Sequence, residues 1–266
     1  MIYLKEFRKK DTTERGGYPF WLDIIQGMDR LVFDCPVTML CGDNGCGKTT
    51  LIELIAQAIS AHRVGLPGGL TPAQQLLREA SLSFTPVFAV KPRKNFIFTA
   101  EGFTKYIEFL VAEKAESHED LAALQEEYGD RYAGKLAAQP YARTIAEIDG
   151  MYERPLEERS HGQGFLDFFR SRIVKGGLYL LDEPEAALSY GNQLALICIM
   201  QDAVKSGCQF ILATHSPILT AYPGARLLEI AEGSIEPKDY DDIASISFLK
   251  RFLFKHESLL ADEEPE

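Results

Sequence analysis

The chain has 266 residues, enough for one large α/β domain with a buried core, and its 28 basic and 39 acidic side chains give a net charge of −11. A field of that sign does not attract DNA or anionic lipid, so either contact would need a local basic patch. The five cysteines form no CxxC pair, which favours a reducing compartment over a disulfide framework or zinc site. No N-terminal signal is evident and no run reaches the ~18 apolar residues that span a bilayer, so we expect a cytoplasmic protein without a transmembrane segment.

The first third of the chain predicts two strands, then a strand, a glycine loop and a helix. Residues 2–7 alternate as in a strand, and the apolar run 31–33 predicts a second one. Residues 37–41 are apolar and partly β-branched, which indicates a buried strand, and residues 51–56 predict a helix.

The loop between that strand and that helix is a complete phosphate-binding motif of the form GxxxxGK[ST]. Its glycines let successive backbone N–H groups point into one concavity, and the helix amino end adds partial positive charge. Lys48 is predicted to reach the β- and γ-phosphates of a nucleoside triphosphate, and the Thr49 hydroxyl to ligate Mg²⁺. Cys46 suits either a permissive loop position or a redox sensor. The predicted nucleotide-binding residues here are Gly42, Asp43, Asn44, Gly45, Cys46, Gly47, Lys48, Thr49 and Thr50.

The rest of the chain predicts sheet segments on either side of a helical insertion. Helical periodicity with many charges indicates a helical subdomain at approximately 103–173, inserted in a single domain of residues 1–266. An acidic tail is expected at 261–266. The remaining predicted elements are strands at 95–99, 178–181, 210–213, 225–230 and 233–235, a crossover helix at 194–204, and a terminal helix at 243–260.

Polar side chains follow two of the predicted central strands. Asp182 and Glu183 end the run 178–181, where a parallel sheet presents its ligands. Asp182 is placed to bind Mg²⁺, and Glu183 is the predicted general base for an attacking water. His215 follows the run 210–213 and is predicted to hydrogen-bond the γ-phosphate or that water.

A second anion-binding terminus is predicted just before a helical run at 165–173. Ser160 and the glycines that follow it stand where a helix would begin, so their N–H groups could hold another phosphate. One nucleotide does not need two cradles within one domain. The second cradle therefore fits a nucleotide that is held by another subunit.

With these elements in this order, residues 20–235 resemble the ATP-binding-cassette (ABC) ATPase superfamily. The runs Leu-Leu-Asp-Glu-Pro-Glu-Ala-Ala-Leu-Ser and Thr-His-Ser-Pro are similar to stand-alone bacterial ATPases of the branch that includes overcoming-lysogenisation-defect nucleases and SMC-like repair ATPases. The resemblance implies an α/β P-loop NTPase fold, with a mainly parallel central sheet, an N-terminal antiparallel β portion and an inserted helical subdomain.

The same resemblance assigns roles to further residues. It makes residues 42–49 the Walker A loop, Asp182 and Glu183 the Walker B pair, and His215 the switch histidine. Glu101 falls where such ATPases carry the Q-loop glutamine that completes Mg²⁺ coordination, and Ser189 stands where a D-loop aspartate is usual. Tyr18 and Phe20 are candidates for stacking on adenine. The residues at the ABC signature are Ser160, His161, Gly162 and Gln163, with His161 in place of a glycine.

The activity that follows from the resemblance is ATP binding and hydrolysis by a homodimer that sandwiches two ATP·Mg²⁺. We expect a non-transport role with a nuclease, defence effector or nucleic-acid partner. The alternative is the nucleotide-binding subunit of a membrane transporter, docked on a permease. A third possibility is a regulatory module that binds ATP and dimerises with negligible turnover.

Overall fold

A computed structural model describes residues 1–11, 16–64, 70–129, 131–150 and 161–261. Within these residues, seven strands form one sheet in the order β10-β9-β3-β8-β7-β6-β4, and three form a second in the order β2-β1-β5. The strands are β1 Leu4–Lys9, β2 Arg30–Val32, β3 Val37–Cys41, β4 His62–Arg63, β5 Phe84–Phe88, β6 Asn95–Thr99, β7 Leu178–Asp182, β8 Gln209–Ala213, β9 Arg226–Ala231 and β10 Ser234–Pro237.

The larger sheet is parallel except at β10, which pairs antiparallel with β9. Every residue of β3, β7 and β8 is buried, as expected for central strands covered on both faces. These strands lie where their apolar runs predict them. The mainly parallel sheet of the expected fold class is therefore confirmed.

The smaller sheet is antiparallel and forms the expected N-terminal β portion. Its strand β5 has no counterpart among the sequence-based predictions, because Pro86 interrupts the run Phe84–Phe88. The structure places β5 at the edge of the sheet, where a proline that cannot donate a hydrogen bond is tolerated. The rings of Phe7 and Phe84 stack with centroids 4.9 Å apart and join β5 to β1.

Helices cover both faces of the larger sheet. Helix α3 was not predicted from its periodicity, although Thr71 and Gln74 form a capping box at its start. The helices are α1 Asp23–Gly27, α2 Lys48–Ala58, α3 Pro72–Ser81, α4 Ala100–Tyr128, α5 Tyr132–Gly150, α6 His161–Arg172, α7 Tyr190–Lys205, α8 Pro217–Thr220 and α9 Ala244–Ala261.

Helices α4, α5 and α6 occupy most of the predicted helical subdomain. Helix α4 begins three residues before the predicted start at 103, because Thr99 caps it by accepting a hydrogen bond from the Gly102 N–H. Helix α6 begins at His161 rather than near residue 165. Its aromatic face packs on both α4 and the sheet, with Phe165 5.0 Å from Phe103 and Phe169 5.0 Å from Phe98 between ring centroids.

Two apolar clusters lie on opposite sides of the larger sheet. One joins α2 and the smaller sheet to the main sheet, and the other joins α6 and α7 to it. Among the described residues, no helix is both long enough and apolar enough to cross a membrane. Residues 262–266 of the expected acidic tail lie outside the described residues.

Candidate active site

The phosphate loop, the paired carboxylates and the histidine meet at one edge of the larger sheet. In the parallel register, Asp182 at the end of β7 lies beside Ala213 of β8 and Thr99 of β6. Strand β3 runs parallel to β8 and leads into the loop that begins at Gly42. The carboxyl edge of the sheet therefore assembles residues from four distant segments, as ligand sites of parallel sheets do.

Backbone geometry fixes the phosphate loop before any ligand binds. Gly42, Gly45 and Gly47 have φ of 142°, 85° and 98°, positive values that residues with a Cβ rarely adopt. A Cβ on Gly42 would lie 2.5 Å from the Ile230 carbonyl oxygen, and one on Gly47 would lie 2.7 Å from a methyl group of Ile24. Both glycines are required by close contacts as well as by conformation.

Lys48 is buried and already pointed into the loop. Its ammonium donates hydrogen bonds to the carbonyl oxygens of Gly42 and Asp43, each at 2.8 Å, and lies 4.0 Å from the Cys46 sulfur. Asp43, Asn44 and Gly45 are exposed along the loop. The groups that hold this buried cation among the described residues are neutral, so it is suited to receive phosphate oxygens.

Thr49 and Asp182, the two central residues of the predicted metal site, are joined by a hydrogen bond. The Thr49 hydroxyl donates to Asp182 Oδ1 over 3.1 Å, across 133 residues of sequence. Burial raises the pKa of the Asp182 carboxyl to about 7, the Thr49 hydrogen bond lowers it, and the charges of Glu183, Glu53 and Glu185 raise it again. A buried carboxylate among like charges, with a hydroxyl beside it, is a donor set that fits Mg²⁺.

Glu183 occupies a constrained turn at the end of β7. Its φ of 46° is uncommon for a residue with a side chain, and its N–H donates to the Ala213 carbonyl at 2.9 Å. This hydrogen bond keeps the turn against β8 and leaves the side chain partly exposed, beside His215. The position is compatible with the predicted general base.

The network behind His215 was missed by sequence reasoning. Glu185 accepts hydrogen bonds from the Thr214 hydroxyl at 2.7 Å and from the N–H groups of His215 and Ser216 at 2.7 and 3.1 Å. The sequence does not reveal these contacts, because Glu185 and its partners are 29 to 31 residues apart. The only available signal was a third acidic residue close after the Asp182–Glu183 pair.

The structure describes part of the predicted signature. Ser160 lies outside the described residues, as do the side chains of His161 and Gln163, whereas Gly162 is buried in the first turn of α6. A Cβ on Gly162 would lie 2.4 Å from Asn192 Nδ2 and 3.0 Å from the Ala187 carbonyl oxygen.

Ser189, in place of the D-loop aspartate, has a clear structural role. Its hydroxyl caps α7 by accepting a hydrogen bond from the Asn192 N–H at 3.4 Å. The signature helix therefore contacts the same segment that Ser189 caps, because Gly162 packs on Asn192.

The structure shows the surroundings of three more candidate residues, Glu101, Phe20 and Tyr18, whose roles stay predictions. Glu101 does not reach Thr49 or Asp182 in the described part of the chain; it pairs with Lys105 one helical turn away and is 79% exposed. Phe20 stacks on Phe84, and the Tyr18 hydroxyl lies in hydrogen-bond contact with that of Thr50 at 3.0 Å. Trp21, which sequence reasoning passed over, is the exposed aromatic of this segment at 61%.

Comparison with known proteins finds similar sequences over most of this chain. A family model described as "AAA domain" matches residues 25–128. The "Cytochrome c biogenesis ATP-binding export protein CcmA" of Rhodopseudomonas palustris (strain BisB18) is 30% identical over 204 residues, which cover 77% of this chain and 88% of that protein.

More distant similarity extends over a larger share of the chain. The "Hemin import ATP-binding protein HmuV" of Rhodococcus jostii (strain RHA1) is 25% identical over 226 residues, covering 83% of this chain and 70% of that protein. The solved structure titled "SMC head domain from Thermotoga maritima" is 15% identical, with a TM-score of 0.47, and the match covers 90% of this chain and 100% of that one.

Proposed function

Because this chain belongs to the ABC-type ATPase superfamily, we propose that it binds ATP and hydrolyses it to ADP and phosphate between two copies of itself. The observation that carries this proposal is the convergence at one sheet edge of the Lys48 loop, the Thr49–Asp182 pair and Glu183 with His215. We assign these residues the roles of phosphate cradle, metal pair, general base and hydrogen-bond donor.

Each residue has one task in the proposed reaction. The loop N–H groups and Lys48 hold the β- and γ-phosphates in place, and Glu183 accepts a proton from water as the water oxygen bonds the γ-phosphorus. The bond from that phosphorus to the bridging oxygen breaks, and ADP leaves. When bound at Thr49 and Asp182, Mg²⁺ would neutralise charge on the phosphate oxygens.

The second copy supplies what the first sheet edge lacks. The amino end of α6, with Ser160, His161, Gly162 and Gln163, would face the γ-phosphate held by the partner, and the two-fold relation would repeat the arrangement. Contacts between the γ-phosphate and the partner's signature then exist only in the closed dimer. ATP would favour closure and hydrolysis would reverse it.

The substitution Glu183→Gln tests this function. The variant should bind ATP but turn it over at least 100-fold more slowly, and it should accumulate as a dimer with ATP·Mg²⁺, measured by size exclusion with light scattering. Glu232→Gln, a change at an exposed glutamate, is the control. A variant that stays monomeric with ATP, or keeps the wild-type rate, would contradict the proposal.

We propose a non-transport role in which hydrolysis drives a nuclease or defence effector. The supporting observation is the antiparallel hairpin of α4 and α5, helices of 29 and 19 residues that offer a large surface to a protein. Exposed glutamates on α4 make that surface unfavourable for nucleic acid: Glu116, Glu119, Glu126 and Glu127.

The basic residues near the amino terminus are one alternative place for nucleic acid to bind. These are already engaged: Arg8 pairs with Glu6, Lys9 donates to the Ile25 carbonyl, and Lys10 donates to the Leu82 carbonyl. A mobility-shift titration with duplex DNA, with and without ATP and at two salt concentrations, tests this partner. A complex that forms at low salt, strengthens with ATP and weakens with added salt would favour a nucleic-acid partner.

A second candidate function is the nucleotide-binding subunit of a transporter. The names of the two relatives favour it, since one is an export and the other an import ATP-binding protein. Affinity purification from detergent-solubilised membranes distinguishes the two roles. Stoichiometric recovery of a polytopic membrane protein would support transport, and recovery of a soluble nuclease or effector would support the first role.

A further inference from the structure

Glu185 lies at the centre of the hydrogen bonds that hold the segment around His215. Its side chain is 5% exposed, and one oxygen, Oε1, accepts from the Thr214 hydroxyl and from the N–H groups of His215 and Ser216. Residues 214–216 thus each donate a hydrogen bond to the same carboxylate oxygen. A buried acceptor with three donors on one atom fixes the backbone from which the imidazole projects.

The second oxygen of this carboxylate indicates that stability alone does not explain it. Oε2 is buried and has no hydrogen-bond partner within the described residues. An unpaired buried oxygen costs free energy, and a neutral side chain that paired all its atoms would avoid that cost. A carboxylate at this position can act on a neighbour through its charge or its acceptor capacity.

That neighbour is the imidazole of His215. Its Nδ1 lies 3.3 Å from Oε1 of Glu185 but 3.8 Å from Oε1 of Glu183, which is beyond hydrogen-bond distance. A carboxylate oxygen 3.3 Å from Nδ1 disfavours a lone pair on that nitrogen by charge repulsion, and so favours the tautomer that carries its proton there. Nε2 then remains for the substrate, on a side chain that is 46% exposed.

The same network reaches the segment that precedes α7. The Ser216 hydroxyl donates to Gln193 Oε1 at 2.6 Å, and Gln193 Nε2 donates to the Leu188 carbonyl at 3.0 Å. Leu188 adjoins Ser189, the residue at the expected D-loop position. The histidine segment and the D-loop segment are thus joined by side chains, without the usual aspartate.

We propose that Glu185 is a positioning residue for His215: it holds the Thr214–Ser216 backbone and fixes the imidazole with its proton on Nδ1, so that Nε2 serves the γ-phosphate or the attacking water. The role of His215 rests on the proposed ATPase function. The orientation and tautomer of its ring do not, because they are properties of the protein without nucleotide.

The first experiment measures the tautomer directly. Nitrogen-15 NMR of histidine-labelled, nucleotide-free protein, with the His215 signals assigned by their loss in His215→Ala, should show Nδ1 protonated in the wild type. Glu185→Ala should move the majority to the Nε2–H form that imidazole favours in water. Glu185→Gln, which keeps an acceptor at Oε1, should restore Nδ1–H.

The second experiment measures turnover in a double-mutant cycle. Glu185→Ala should lower kcat about 30-fold, change KM for ATP less than threefold, and have no further effect in a His215→Ala background. Glu185→Gln should recover most of the wild-type kcat. Glu236→Ala, at an exposed glutamate, is the matched control and should change neither the kcat nor the tautomer.

The outcomes separate this inference from the function on which it rests. An unchanged tautomer in folded Glu185→Ala, or kcat losses that multiply in the double variant, would overturn the positioning role. If Glu185→Ala does not fold, a His215 ring that already has Nε2–H in the wild type would overturn it as well. A wild type without ATPase activity would contradict the proposed function, while the tautomer result would still decide the role of Glu185.

Discussion

The carboxyl edge of the sheet and the amino end of α6 differ in how completely one chain builds them. At the sheet edge, Lys48, Thr49 and Asp182 all have partners within the chain, and the loop glycines are fixed by close contacts. At α6, the aromatic face is packed internally, and its first turn rests on Asn192. This difference supports our proposal that one chain forms the phosphate cradle and a second copy uses its signature.

Removing the Lys48 ammonium should have the largest effect, because it weakens nucleotide binding at the sheet edge. Lys48→Ala loses two charge-assisted contacts to phosphate, and at about 1.5 kcal/mol each the Kd for a non-hydrolysable ATP analogue should rise about 100-fold. Isothermal titration calorimetry measures this Kd. The control Lys105→Ala removes an exposed lysine that pairs with Glu101. A Kd within threefold of the wild type would show that the loop does not hold the phosphates through Lys48.

Asp182→Asn should separate stability from function at the same edge. Burial raises the pKa of the carboxyl from 3.8 to about 7, so its stabilising contribution is present below pH 3.8 and is lost as the pH rises through 7. Removing that cost should stabilise the nucleotide-free protein at pH 8 by about 1–2 kcal/mol, or about 4 °C in Tm.

The increase in Tm should shrink steadily as the pH falls from 7 to 4, because protonated Asp182 carries no buried charge. Thermal unfolding at pH 5 and pH 8 measures it, and ATPase activity should be lost at both. Asp202→Asn, at an exposed aspartate paired with Lys205, should show no such pH dependence. A variant that is less stable than the wild type at pH 8 would mean that the negative charge of Asp182 is compensated within the chain.

The smallest effect tests the packing of the signature helix. Gly162→Ala places a Cβ 2.4 Å from Asn192 Nδ2 and should lower stability by about 1 kcal/mol, whereas Gly164→Ala, whose Cβ meets only Phe103 at 3.9 Å, should be neutral or stabilising. Adding Asn192→Ala should restore part of the loss. Thermal unfolding of the wild type and these three variants measures the changes in stability. Equal Tm values for Gly162→Ala and Gly164→Ala would contradict close packing of Gly162 on Asn192.

The parts of the site that sequence predicted are those encoded locally. The Lys48 loop joins an apolar strand to a helix, and the Asp182–Glu183 pair ends another apolar strand. The neighbouring residues that identify each motif therefore lie within a few positions of it in the sequence. Glu185 was missed because its partners at 214–216 come after an intervening helix. The fold was predicted least well where a short element depends on its neighbours, as at β5, whose proline is tolerated only at a sheet edge.

At Glu101, the position assigned by resemblance is not accompanied by a contact with Thr49 or Asp182 in the described part of the chain, and its role in Mg²⁺ coordination stays a prediction. Glu101 follows the correct strand, but its side chain is satisfied by Lys105 on its own helix. The mismatch between Glu101 and the usual glutamine is visible in the sequence, whereas the competing partner one turn along becomes decisive only in the structure.

Complementation between two inactive variants tests the shared site most directly. Lys48→Ala lacks the phosphate cradle and Ser160→Arg lacks the signature, so each alone should be inactive. Mixed in equal amounts, they should form heterodimers in which one composite site has an intact loop from one copy and an intact signature from the other. The account predicts that ATPase activity returns to about a quarter of the wild-type rate, whereas a mixture as inactive as its components would contradict a site shared between two copies.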